Sequence, residues 1–172
     1  SEVIILDYAS AFDFPAHVNR CGMLAGAGQF GKSDQGLFSF WMHSYRWKRP
    51  LTYIGFGGAG HQVRDCLHPR DLAALIAKQI ASGRAGGILN VSGGSSSAVS
   101  LAELSEWCAA KWSRRKVGCE KAERKYDVPW LVLDSRRAQS EFAWKPETTL
   151  PDVLEEIAQH ADQNPQWLDL AS

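Results

Sequence analysis

The stretch Gly58-Ala-Gly-His-Gln-Val-Arg-Asp-Cys-Leu-His-Pro-Arg-Asp71 runs a glycine-rich turn into an alternating strand and then into the start of a helix. Gly55, Gly57, Gly58 and Gly60 permit a tight turn and a close backbone approach to a ligand. Gln62 to Leu67 alternates polar and apolar residues, as a strand does. His68-Pro69 opens a helix, with proline where its missing N–H is harmless. Arg64 and Asp65 therefore lie on a strand beside a glycine turn, a place suited to holding a phosphate. A structural Arg–Asp pair closing a loop is the other reading of the same letters.

Outward from this segment, strands and helices alternate. The pattern predicts helix over 1–12, a strand over 16–24, a glycine-rich loop over 25–36 and an aromatic helix over 37–48. Strands follow at 51–54 and 62–67, then a helix over 69–82 with Leu72, Leu75, Ile76 and Ile80 on one face, then a strand at 87–92. The stretch 92–99 reads as a small polar loop, and Ser100-Leu-Ala-Glu103 as a capping box opening a helix over 101–113. Short strands at 116–121 and 130–133 precede helices at 135–142 and 151–162, the last turning Leu154, Ile157, Ala158 and Ala161 inward. Such alternation predicts an α/β fold with parallel strands.

Composition fits a folded domain. Of 172 residues, 45% are hydrophobic and 22% charged, and the 19 basic residues balance 19 acidic ones. Zero formal charge gives no field to draw nucleic acid or an anionic membrane, and no apolar run approaches a membrane span. Arg114-Arg-Lys116 reads as a solvated helix end. The four cysteines (Cys21, Cys66, Cys108, Cys119) lack metal-ligand or redox spacing and fall in different elements, which argues for a reducing cytoplasm and against a metal. His61 and His68 flank the Arg64 segment and read as one loop histidine and one cap.

The quoted segment resembles the G-x-G-x-Q-x-R-D signature of the extended short-chain dehydrogenase/reductase superfamily, the NAD-dependent nucleotide-sugar epimerases and dehydratases. Four further blocks match in order: Asn19-Arg-Cys-Gly-Met-Leu-Ala-Gly26 with Gln29, the helix from Gly36, Gly87-Ile-Leu-Asn-Val-Ser-Gly-Gly94, and Leu133-Asp134 through Trp144-Lys-Pro146. Gln29-Phe30 with Ser33-Asp-Gln-Gly36, and Gln62-Val-Arg-Asp65, are most similar to the CDP-hexose 2-epimerases of that superfamily.

The resemblance implies the C-terminal part of a Rossmann-like doubly wound parallel sheet plus a small α/β substrate-binding lobe, across residues 1–172. It implies a nucleotide-sugar substrate contacted by Arg64, Arg124, Gln29, Gln35 and Gln62, and NAD approached by Cys21, Gly22 and Met23. In a CDP-sugar 2-epimerase, C2 of the hexose is transiently oxidised to a ketone.

Two family hallmarks do not occur in these residues: the G-x-x-G-x-x-G turn after a first strand, and the Y-x-x-x-K pair. Tyr8, Tyr45, Tyr53 and Tyr126 are followed four residues on by Phe12, Arg49, Gly57 and Trp130. The expectation is a carboxyl-terminal half that carries no catalytic residue, binds NAD weakly by itself, and belongs to a parent that dimerises or assembles further through the apolar helix 1–12. A non-catalytic relative that binds a nucleotide or a partner, and a dehydratase or reductase on another nucleotide sugar, are the alternatives.

Overall fold

The computed structural model describes residues 1–32, 35–84, 87–122 and 127–171. In chain order the main elements are α1 (Glu2–Ala11), β1 (His17–Cys21), β2 (Met23–Leu24), α2 (Leu37–Arg46), β3 (Thr52–Ile54), β4 (Val63–Leu67), α3 (Pro69–Ser82) and β5 (Gly87–Val91). They continue with β6 (Ala98–Ser100), α4 (Leu101–Lys111), β7 (Gly118–Glu120), β8 (Trp130–Leu131), α5 (Arg136–Phe142) and α6 (Leu150–Gln163). Short 3₁₀ turns occupy Phe56–Gly58, Gly94–Ser97 and Trp167–Ala171.

The expected α/β class holds, with four parallel strand pairings and one antiparallel pairing among the described residues. β1 runs parallel to β5, and β3 parallel to β7. β4 has β2 and β8 as parallel partners and β6 as an antiparallel one. The single strand expected over 16–24 is two. β1 pairs with β5 and β2 with β4, so the chain passes from one sheet to the next across Gly22.

Packing dictates that residue. A Cβ at Gly22 would run into the Ser92 side chain and approach Asp65 Oδ1 at 3.1 Å. Asp65 is buried, and its Oδ2 accepts from Ser92 Oγ and, at 2.9 Å, from the Leu133 amide. Ser135 Oγ accepts from the Ser92 amide (2.7 Å) and donates to the Ser92 carbonyl (3.0 Å). A buried carboxylate persists only when its lone pairs are satisfied, and here they tie β4, β5 and the segment before α5 into one knot.

Two apolar clusters flank this knot. One gathers Phe38, Trp41, Met42, Tyr45, Leu104 and Ile157 from α2, α4 and α6; the other gathers Leu75, Leu89, Val91, Phe142 and Trp144 around α3, α5 and β5. The inward row of α6 is as expected, and its start is fixed by a Thr149–Asp152 capping box. The Ser100–Glu103 capping box opens α4, and β6 just before it replaces the end of the expected loop.

α3 is rotated from its apolar stripe. Its buried residues are Asp71, Leu75 and Gln79, while Ile76 and Ile80 are exposed. The polar pair is affordable because both side chains are satisfied: Gln79 exchanges two 2.9 Å hydrogen bonds with Asn19, and Asp71 accepts from the Thr148 amide at 3.0 Å. α1 leaves its apolar residues uncovered. Only Ala9 is buried, and Val3, Ile4, Ile5, Tyr8 and Phe12 lie exposed.

Candidate substrate site

All four glycines before β4, Gly55, Gly57, Gly58 and Gly60, have positive φ, and Gly60 (φ 72°) lies so close to the Tyr53 ring that a Cβ would be 2.7 Å from it. The Gly60 carbonyl accepts from the Ala102 amide at 2.9 Å, anchoring the turn to the start of α4. Beyond it the two-residue period of a strand puts neighbouring side chains on opposite faces. Arg64 and Asp65 accordingly part company: Asp65 enters the knot, and Arg64 faces a cavity of about 340 Å³.

Apolar side chains of Leu37, Phe40, Trp41, Leu51, Ile54 and Leu101 line most of that cavity. Its polar groups come from Gln35, Thr52, Gln62, Arg64 and Asp127. A mostly apolar hollow with a few convergent polar groups is the usual form of a small-molecule site. The aromatic helix divides its labour. Phe38, Trp41 and Tyr45 belong to the core, Phe40 and Trp41 also line the cavity, and Trp41 Nε1 is anchored on Ser105 Oγ at 3.0 Å.

Arg64 is held by three acceptors. Nη2 donates to Asp127 Oδ1 (2.6 Å) and the Val128 carbonyl (2.8 Å), and Nη1 to the Val63 carbonyl (2.7 Å). Its side chain is only 13% exposed and that of Asp127 21%, so the pair is largely shielded from water. Neither sequence reading of Arg64 named this partner. Asp127 closes the stretch Glu-Arg-Lys-Tyr-Asp127, but nothing in its letters marks an ion pair to a residue 63 positions earlier. Gln62, one strand period from Arg64, is 8% exposed; Nε2 donates to the Ile54 carbonyl at 3.5 Å, and Oε1 is buried with no partner among the described residues.

The other expected site residues are dispersed. Gln35 and Met23 line the cavity with Arg64 and Gln62. Gln29 is not among its lining residues; Nε2 donates to the Leu24 carbonyl at 2.8 Å, and its own carbonyl accepts from Ser39 Oγ (2.6 Å) and Trp167 Nε1 (3.0 Å). Arg124 lies outside the described residues. Cys21 is exposed at the carboxyl end of β1, the end at which parallel sheets place ligands. Burial of its surroundings raises its thiol above the ordinary range.

The space beside Gly22 is filled by Ser92 and Asp65, so that close approach is to the chain itself. Cys66 and Cys108 are pushed up to about 12 by burial, which leaves them protonated, inert packing groups. Among the described residues no three His, Cys, Asp or Glu side chains come together as a metal site, and no helix is long and apolar enough to cross a membrane.

Comparison with known proteins places this geometry among relatives. The chain is 26% identical over 164 residues to CDP-paratose 2-epimerase of Salmonella typhi, an alignment covering 89% of this chain and 46% of that protein. It superposes on the dTDP-glucose 4,6-dehydratase of Bacillus anthracis, solved with NAD, with a TM-score of 0.80 at 22% identity, covering 99% of this chain and 52% of the other. The UDP-glucuronic acid 4-epimerase of Bacillus cereus, solved with UDP-glucuronic acid and NAD, gives 0.80 at 18% identity, over 94% and 50%. At such identities the structural likeness is one of fold, and the chain spans about half the length of the relatives it matches. The family model for NAD-dependent epimerases and dehydratases matches residues 1–92, more than half of the sequence, and the chain belongs to that family.

Proposed function

We propose that this chain is the substrate-binding half of an NAD-dependent nucleotide-sugar epimerase, and that its cavity takes the nucleoside diphosphate portion of the substrate. One observation carries the reading: a shielded arginine, Arg64, stands on the wall of a hollow that is otherwise largely apolar and aromatic. A diphosphate leaving water needs charge-assisted donors, and a guanidinium offers them in planar geometry. Asp127 and the two carbonyls hold that guanidinium in place, so little side-chain entropy is left to lose on binding. Phe40, partly buried on the cavity wall, offers a ring against which a base can pack.

A CDP-hexose is the favoured substrate and epimerisation at C2 the favoured reaction, supported by the likeness to CDP-paratose 2-epimerase over 89% of the chain. NAD would supply the hydride acceptor for transient oxidation of the sugar carbon. Cys21 would lie at the outer edge of its site, and the role of these residues is to seat and orient the sugar nucleotide.

Calorimetric titration of the purified chain with CDP, UDP and dTDP tests the reading. Binding of a nucleoside diphosphate is expected, weakened by about 1.5–3 kcal/mol in Arg64→Lys, the scale of a charged hydrogen bond, with some loss of melting temperature as contacts to Val63, Asp127 and Val128 are given up. No binding of any of the three, or an Arg64→Lys variant that loses stability and keeps affinity, would refute it.

A further inference from the structure

The amide of Gln62 is oriented by the protein, and its oxygen has no partner among the described residues. Nε2 faces the Ile54 carbonyl at 3.5 Å, a long contact that suits the amide nitrogen and not its oxygen. Oε1 is left buried, unpaired among the described residues, on a residue that lines the cavity and is 8% exposed. Buried acceptors are nearly always satisfied, and one that is not raises the energy of the ligand-free protein. Val63 separates Gln62 from Arg64, so both stand on the same face of the chain, roughly 6.6 Å apart along it. That distance is comparable to the step from a diphosphate to the nucleoside it carries.

Building on the nucleotide reading of this cavity, we propose that Gln62 Oε1 is a specificity-determining acceptor. It takes a hydrogen bond from a neutral O–H or N–H donor on the nucleoside, either a ribose hydroxyl or an exocyclic base amine. A site with a buried acceptor of this kind rejects analogues lacking the donor far more strongly than an apolar pocket rejects a change of size.

The inference requires two effects of opposite sign from one substitution. Gln62→Met keeps the length and removes the unpaired oxygen. The ligand-free chain should melt at the same temperature or higher, while affinity for CDP falls about tenfold, the worth of one hydrogen bond of ordinary strength. Gln62→Asn retains an amide and withdraws it by one methylene; it should lose affinity too, and it stands in should the methionine variant fail to fold.

The donor is then identified with the wild-type chain. If the ribose supplies it, 2′-deoxy-CDP or 3′-deoxy-CDP binds about tenfold more weakly than CDP, and the loss disappears in Gln62→Met. If the base amine supplies it, UDP shows that pattern instead. Wild-type affinity for CDP in both variants would overturn the role of Gln62 and leave the nucleotide reading standing. A wild-type chain that binds no nucleoside diphosphate would remove both.

Discussion

Asp65 and Arg64 are adjacent and charged, yet they answer to different demands. Asp65 is buried and satisfied by Ser92 and the Leu133 amide, so its removal strands those donors in the interior. Asp65→Ala should lower the unfolding free energy by about 3 kcal/mol, read from urea denaturation; a loss under 1 kcal/mol would contradict the knot. Which of the two residues was structural could not be read from the sequence. Their spacing guaranteed opposite faces, but which face met solvent depended on Ser92 and Ser135, both far along the chain. His68 was more legible. A residue before Pro69 at a helix start has a local job, and its ring accepts from the Arg70 amide at 3.1 Å as a cap should.

At the scale of elements, α2 and α6 meet through two imidazoles. His43 Nε2 and His160 Nδ1 are 3.1 Å apart, and His43 Nδ1 lies 2.9 Å from the Ser39 carbonyl. Trp167 packs edge-on against His160, with ring centres 4.6 Å apart, and Arg46–Asp162 and Arg49–Asp169 ion pairs surround the contact. Burial chiefly holds both histidines below their ordinary pKa, and in His43 the charges of His160 and Arg49 add to it. Protons then bind the unfolded chain first, so stability is complete above the unfolded value of about 6.5 and declines as pH falls below it. Urea unfolding between about pH 7.5 and 5.5 should show that decline, and His43→Asn should flatten it. A flat wild-type profile would contradict the pairing.

The helices themselves were largely written in local signals, such as the Ser100–Glu103 box and the inward row of α6. The rotation of α3 was not, because Asp71 and Gln79 are buried only by partners at Thr148 and Asn19. The division of 16–24 was equally silent, since a strand's letters do not say which neighbour it will pair with.

For the whole molecule, the outstanding quantity is uncovered apolar surface. Val3, Ile4, Ile5, Tyr8 and Phe12 project from α1, Ile76 and Ile80 from α3, and among the described residues β1 has a partner on one edge only. Surfaces of this kind associate. The chain should therefore self-associate at tens of micromolar, an ordinary range for modest interfaces, and Ile4→Lys with Phe12→Lys should reduce the association in sedimentation velocity. A wild-type chain that sediments as a strict monomer at that concentration would refute the expectation. The apolar run was plain in the sequence, but its burial was not, because burial depends on what else the sheet and helix meet.

The crossing at Gly22 has a consequence in time. β1 waits for β5, since His17 pairs with Gly87, and β2 waits for β4, since Met23 pairs with Cys66. Synthesis proceeds at about 5–20 residues per second, so β1 and the apolar helix before it spend several seconds on the ribosome without their partner strand. Ordering so distant a pair means closing a long loop before any contact rewards it, which slows folding. The strands that meet at one glycine are thus joined by the chain well before the fold joins each to its partner, and in that interval the protein is open to capture by a chaperone or by another copy of itself.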